Sequence, residues 1–77
     1  KADRDAKILA LADKLSNMRA IHRDQNTVGD KLWERFNEKR KEKHGWMYRQ
    51  VAEALSELSD TFAWQEYDEL VRKTFEE

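Results

Sequence analysis

From Ala2 to about Arg23, hydrophobic and polar positions repeat with the period of an α-helix. One apolar stripe is typical of a helix that packs on a core, and it contains Ile8, Leu11, Ala12, Leu15 and Met18. The opposite side is also small or apolar, with Ala2, Ala6, Leu9, Ala10, Ala20 and Ile21. The basic residues Lys7, Lys14, Arg19 and Arg23 are confined to the narrow borders between the two sides. This pattern predicts a central helix that other elements cover from two directions.

Three further helices are predicted downstream. The second begins near Thr27, a possible N-cap with Asp30 at the capping-box distance, and its apolar stripe is Val28, Leu32, Trp33 and Phe36. The third spans about Trp46 to Leu58, with Met47, Val51, Ala54, Leu55 and Leu58 at helical spacing. The fourth spans about Ala63 to Phe75, with the stripe Ala63, Tyr67, Leu70, Val71, Thr74 and Phe75. The charged stretch from Asn37 to Gly45 lacks periodicity and predicts an exposed loop. The expected fold is all-α with about four helices.

Two polar residues interrupt the second apolar side of the first helix. Asp13 and Asn17 are four residues apart, so their side chains point the same way. A carboxylate on a packed side must be paired, hydrogen-bonded or bound to a metal, because an isolated buried charge is very costly. From spacing alone, an ion pair with a basic residue of a neighbouring helix is the commoner arrangement, and a metal site is the alternative.

The segment Leu11–Arg19, which reads LADKLSNMR, resembles the last conserved hydrolase motif of the HD-domain phosphohydrolases. The specific likeness is to the RelA/SpoT-like pyrophosphohydrolases of guanosine tetraphosphate and pentaphosphate (ppGpp), the nucleotides of the stringent response. The resemblance implies that Asp13 is the final ligand of a divalent metal, usually manganese. It also implies that Asn17 contacts the nucleotide at the ribose or a nearby phosphate. The long bifunctional enzymes usually carry His where Ser16 stands and Thr where Ala20 stands.

A second, weaker match lies downstream. The segments Leu32–Asn37 and Trp46–Arg49 resemble the aromatic-rich helical tail of small stand-alone members of the group. Residues 2–23 are then the motif helix, about 27–76 are scaffold, and 1–77 form the C-terminal part of a larger HD-type domain. The family's first metal ligands, a His and then an adjacent His-Asp pair, lie upstream of this motif. We therefore expect the chain to be one part of an enzyme, inactive alone and without tightly bound metal.

Several residues have both a chemical and a structural interpretation. His22 and His44 could bind a metal, but we expect His22 to be satisfied by a partner and His44 to lie in the charged loop. A role in phosphate contact is conceivable for Lys39, Arg40, Lys41 and Lys43, although solvation is the commoner outcome for such a run. Stacking on guanine is conceivable for Trp33, Trp46 and Trp64, although each has a position typical of packing between helices.

Composition narrows the function classes. Charged residues make up 40% of the chain, the formal net charge is −1, and there is no Pro or Cys. No basic excess favours nucleic acid, no thiolate site is possible, and no apolar run approaches the roughly 20 residues of a membrane span. We expect a cytoplasmic protein. Because a core is marginal at this length, we also expect it to pair with missing upstream helices or to form a homo-oligomer.

Two functions from different classes follow. The first is the C-terminal part of a metal-dependent pyrophosphohydrolase acting on a guanosine polyphosphate, with Asp13 holding the metal and Asn17 the nucleotide. The second is a non-catalytic helical interaction module. In that case Asp13 and Asn17 are buried polar groups that specify helix register or a partner.

Overall fold

The computed structural model describes residues 2–75, and every secondary-structure element in it is helical. Helix α1 spans Ala2–Val28, α2 spans Lys41–Ala54 and α3 spans Phe62–Phe75, with short 3₁₀ helices at Gly29–Arg35 and Ser56–Leu58. The all-α prediction is confirmed. The count of about four helices is wrong, because only three α-helices form among these residues. The predicted end of the scaffold at residue 76, and the side chain of Ala2, lie outside what the structure describes.

Helix α1 runs parallel to α3 and is tied to it, and to the 3₁₀ turn before it, at successive levels. The three tethers are Lys7 Nζ to Glu57 Oε1 at 2.8 Å, Arg19 Nε to Glu66 Oε2 at 2.7 Å, and His22 Nδ1 to Thr74 Oγ1 at 3.2 Å. Three of the four border cations have acidic partners within 4 Å, since Arg23 also pairs with Asp24.

Helix α2 runs antiparallel to α3. The Trp64 indole donates to the Ala52 carbonyl at 3.0 Å, and the Tyr67 hydroxyl donates to the Tyr48 carbonyl at 2.8 Å. One core joins all the elements, and its buried members are Leu11, Leu15, Met18, Ile21, Leu32, Trp33, Tyr48, Ala52, Leu55, Leu58, Tyr67 and Val71. Ile21, which the sequence assigned to the opposite side of α1, belongs to this core because it lies one turn after Met18.

Helix α1 is longer than predicted, and the second predicted helix is not an α-helix. Thr27 does not cap a new helix, because it lies inside α1 and its hydroxyl donates to the Arg23 carbonyl at 3.0 Å. Helix α1 ends before Gly29, whose φ of +69° is a conformation that ends helices and that side chains disfavour. The 3₁₀ helix that follows still buries the predicted residues Leu32 and Trp33.

The predicted exposed loop from Asn37 to Gly45 is also shorter than expected. Helix α2 begins at Lys41, so only the first part of the stretch is non-helical. Gly45 is buried inside this helix, and a Cβ there would lie 3.0 Å from Cγ of Phe75. The glycine that indicated a loop is thus a point of close helix packing. Helix α2 also ends earlier than Leu58, which lies in the second 3₁₀ helix.

The tryptophans divide between core and surface. Trp33 is buried and Trp64 packs against the core, as predicted. Trp46 does not, because it is 62% exposed on the outer side of α2. Helix α3 matches its predicted bounds to within one residue.

Candidate functional site

Asp13 and Asn17 lie on one exposed face of α1. Their separation of one helical turn places their Cβ atoms about 6 Å apart. Ala6, Leu9 and Ala10 share their exposure, and the Leu9 side chain is 72% exposed. The prediction that Asp13 and Asn17 are buried among apolar residues is therefore wrong for the described residues, because α3 and the rest of the core cover only the other side of α1.

The carboxylate of Asp13 forms no hydrogen bond or ion pair with residues 2–75. The commoner interpretation, an ion pair with a neighbouring helix, is thus not realised among them. The negative charge of Asp13 contributes to raising the pKa of Tyr48 on α2. The larger cause of that raised pKa is the burial of the phenol, which disfavours the charged form.

Asn17 and Tyr48 line the same hollow, which has a volume of about 450 Å³. It lies where α1, the first 3₁₀ helix and α2 meet. Its other lining residues are Ala20, Ile21, Asp24, Leu32, Arg35 and Phe36. The size falls within the range of about 300–1,000 Å³ that is usual for small-molecule pockets, and a mostly apolar lining with few polar groups is also usual.

Asp24 and Arg35 provide the only opposite charges among the residues that line this hollow. Nη1 of Arg35 lies 3.9 Å from Oδ2 of Asp24, which is an ion pair but too long for a hydrogen bond. Arg35 forms no hydrogen bond within residues 2–75, and its side chain is 59% exposed. The other oxygen of Asp24 accepts a long bond of 3.5 Å from Arg23. The guanidinium of Arg35 therefore retains donors that a ligand could use.

The two histidines have structural partners, as expected for His22. Its Nδ1 faces the Thr74 hydroxyl, and its Nε2 lies 3.3 Å from the Asn26 amide nitrogen. His44 stacks on Trp33 with ring centroids 4.9 Å apart, and its Nε2 donates to the Glu38 carbonyl at 2.7 Å. Within residues 2–75, no three His, Asp or Glu side chains come together as a metal-binding group.

The basic run before α2 is mostly engaged with its own backbone and side chains. Lys39 Nζ donates to the carbonyls of Glu34 and Phe36, at 2.8 and 3.0 Å. Arg40 forms a 2.9 Å bond with Glu38, and this bond lowers the pKa of the Glu38 carboxyl to about 2. These two cations are thus committed to shaping the turn between the first 3₁₀ helix and α2.

The hollow brings together residues that sequence reasoning had not connected. Tyr48 was part of the weaker downstream match, but no pattern indicated that it would approach Asp13. Arg35 also lies in that match, but nothing in the sequence indicates that it meets Asp24, because their meeting depends on the sharp turn at Gly29 and helical periodicity carries no information about that turn.

Comparison with protein-family models, curated proteins and solved structures gave no match. No helix among residues 2–75 combines the length and hydropathy needed to cross a bilayer.

Proposed function

We propose that this chain is the C-terminal part of a metal-dependent phosphohydrolase that acts on a guanosine polyphosphate. Asp13 supplies one metal ligand, and Asn17 binds the nucleotide at the ribose or a nearby phosphate. The observation that carries the proposal is the unpaired carboxylate of Asp13 beside a nucleoside-sized hollow lined by Asn17. The motif Leu11–Arg19, which resembles that of the RelA/SpoT-like hydrolases, supports it.

The exposure of Asp13 is consistent with the role of a ligand. A carboxylate without internal partners keeps its oxygens available, and a divalent cation such as Mn²⁺ is coordinated well by oxygen. One carboxylate supplies too few ligands for a divalent metal, so the described residues fit one ligand of the site and not the complete set. The remaining ligands, in the proposal, come from residues outside this sequence. The metal, when bound, activates a water molecule and neutralises charge on the phosphoryl group.

The other residues of the site have distinct roles in this proposal. Arg19 is a positioning residue, because its Nε and Nη2 donate hydrogen bonds of 2.7 and 2.8 Å to the Glu66 carboxylate and so hold the motif helix on α3. Tyr48 lines the hollow together with Asn17. Asn17 presents both a donor and an acceptor, which suits a ribose hydroxyl.

The gene sequence preceding Lys1 provides the first test. The proposal requires a His and then an adjacent His-Asp pair on upstream helices. In the intact protein, Mn²⁺-dependent release of pyrophosphate from guanosine tetraphosphate is then measured for the wild type, Asp13→Asn and Asp5→Asn. Asp5 is an exposed aspartate on the same helix, so its variant controls for charge. We expect activity to be lost only in Asp13→Asn, and full activity in that variant contradicts the proposal.

A second function is favoured by one observation, the exposure of Leu9 beside Ala6 and Ala10. A non-catalytic interaction module would use this face to bind a partner helix, with Asp13 setting its register. An encoded upstream sequence without the metal ligands, together with no nucleotide hydrolysis, would support the module over the enzyme.

A further inference from the structure

The hollow beside Asn17 contains one cation among its lining residues, and this cation is held loosely. Arg35 approaches Asp24 no closer than 3.9 Å, whereas Arg19 and Arg40 form bidentate contacts with their glutamates. A guanidinium is best satisfied by two parallel bonds to one carboxylate or phosphate. The pair with Asp24 leaves that capacity unused.

We infer that Arg35 is an anion-binding residue of the hollow and that its guanidinium binds a phosphate or diphosphate group of the ligand. In the absence of the anion, Asp24 keeps the guanidinium at the hollow through their ion pair. The inference rests on the proposed function, because Arg35 would neutralise the phosphate groups of the nucleotide that lie far from Asp13. Binding exchanges one loose ion pair for a closer charge-assisted one. The carboxylate of Asp24 opposes binding of the anion, since it competes for the same guanidinium.

The apolar part of the hollow explains why the anion would belong to a nucleotide. Ile21, Leu32 and Phe36 line the hollow, and the half-buried Phe36 is the most exposed of the three, so a planar ring can lie against these apolar side chains beside the charged rim. An inorganic anion would use the rim alone. A nucleoside diphosphate would use both parts, and should therefore bind more tightly than pyrophosphate.

The test is a titration of the 77-residue chain with guanosine 5′-diphosphate, pyrophosphate and guanosine in metal-free buffer, followed by NMR of the Arg35 side chain and backbone amides. We expect guanosine 5′-diphosphate to bind more tightly than the other two probes. Replacing Arg35 with Gln should weaken its binding at least about fivefold, because a charge-assisted contact is lost. Arg35→Lys keeps the charge but loses the planar guanidinium that can form two parallel bonds. Its affinity for guanosine 5′-diphosphate should therefore lie between those of the wild type and Arg35→Gln.

Two further variants make the test specific. Asp24→Asn should tighten binding of guanosine 5′-diphosphate, because it removes the competing carboxylate and its repulsion. Arg72→Gln, the matched control at a similarly exposed arginine on α3 and outside the hollow, should bind like the wild type. The inference would be overturned if the wild type does not bind guanosine 5′-diphosphate. It would also be overturned if the control variant weakens binding as much as Arg35→Gln does, or if Asp24→Asn weakens it.

These outcomes are separable from those of the proposed function. The titration contains no metal and measures no hydrolysis, so its result does not depend on whether Asp13 holds a metal. If the intact protein releases pyrophosphate while Arg35→Gln leaves nucleotide affinity and KM unchanged, the function stands and the inference falls.

Discussion

Replacing Gly45 with Ala sets two opposing effects against each other inside α2. Glycine in a helix is less favourable than alanine by about 1 kcal/mol, so the substitution would stabilise an open position by that amount. The added methyl group, however, would lie 3.0 Å from Cγ and 3.1 Å from Cβ of Phe75. Contact with Cβ matters because that atom cannot move without the backbone of α3.

Steric crowding should be the larger effect. The Phe75 ring is held between Trp33 and Tyr48, with centroids 5.6 and 6.0 Å away. Overpacking of a well-packed core costs about 1–3 kcal/mol. Subtracting the helix-propensity gain from the middle of that range leaves a net loss of about 1 kcal/mol in the free energy of unfolding. For a domain of this size, such a loss lowers Tm by about 4–8 °C.

The assay is urea unfolding followed by circular dichroism at neutral pH. The exposed residue Gln50 on the same helix provides the control, since the difference between Gln50→Ala and Gln50→Gly measures the propensity effect without crowding. A double-mutant cycle with Phe75→Ala removes Cγ and the ring and leaves only the contact with Cβ, so Gly45→Ala should be less destabilising in that background. If Gly45→Ala stabilises the wild type by the full Gln50 difference, Phe75 moves freely and the packing argument is wrong.

Three further predictions concern other contacts. In sedimentation equilibrium we expect the chain to form a dimer through the α1 face, and we expect Leu9→Lys to shift it to monomer. Phe62→Lys, at a residue that is 90% exposed, is the matched control and should leave the dimer intact. A monomer in every sample would contradict the expectation. The hydrogen bond from Arg19 lowers the folded-state pKa of Glu66 below its usual value of 4.5. The stability that this bond contributes should therefore be lost as the pH falls from 4.5 through the folded-state pKa. Glu66→Gln should flatten this part of the pH profile of stability, and an unchanged profile would show that the bond is absent in solution. Asp13→Asn should lower the pKa of Tyr48 in an NMR titration while leaving it above its usual value, because burial is the larger cause; no change would place Asp13 farther from Tyr48 than described.

The core stripes could be predicted from sequence because helical periodicity directly reports which positions share a face. Leu11, Leu15 and Met18 of α1, and Tyr67 and Val71 of α3, are buried as the spacing predicts. Ile8 and Ala12, which belong to the same predicted stripe of α1, are exposed instead. Periodicity does not report what packs on a face. The small residues around Asp13 indicate a second covered side, yet none of the described elements lies over it.

The errors cluster where a single backbone conformation decides the path. The positive φ of Gly29 ends α1 and starts a 3₁₀ helix, while Gly45, the same residue type, stays helical to admit Phe75. Sequence alone does not separate these two uses of glycine, because one depends on a dihedral angle and the other on a side chain 30 residues away. The hollow at Asn17 was missed for the same reason.

The parallel arrangement of α1 and α3 has a consequence for the order of folding. The three tethers of α1 close loops of 50, 47 and 52 residues, whereas the bonds between α2 and α3 span 12 and 19. Short closures cost less chain entropy, so we expect the α2–α3 hairpin to form first and α1 to dock on it late. The helix that carries Asp13 and Asn17 is then the first to leave on partial unfolding. The candidate site would therefore lose its geometry, and its amide protection against hydrogen exchange, before the hairpin does.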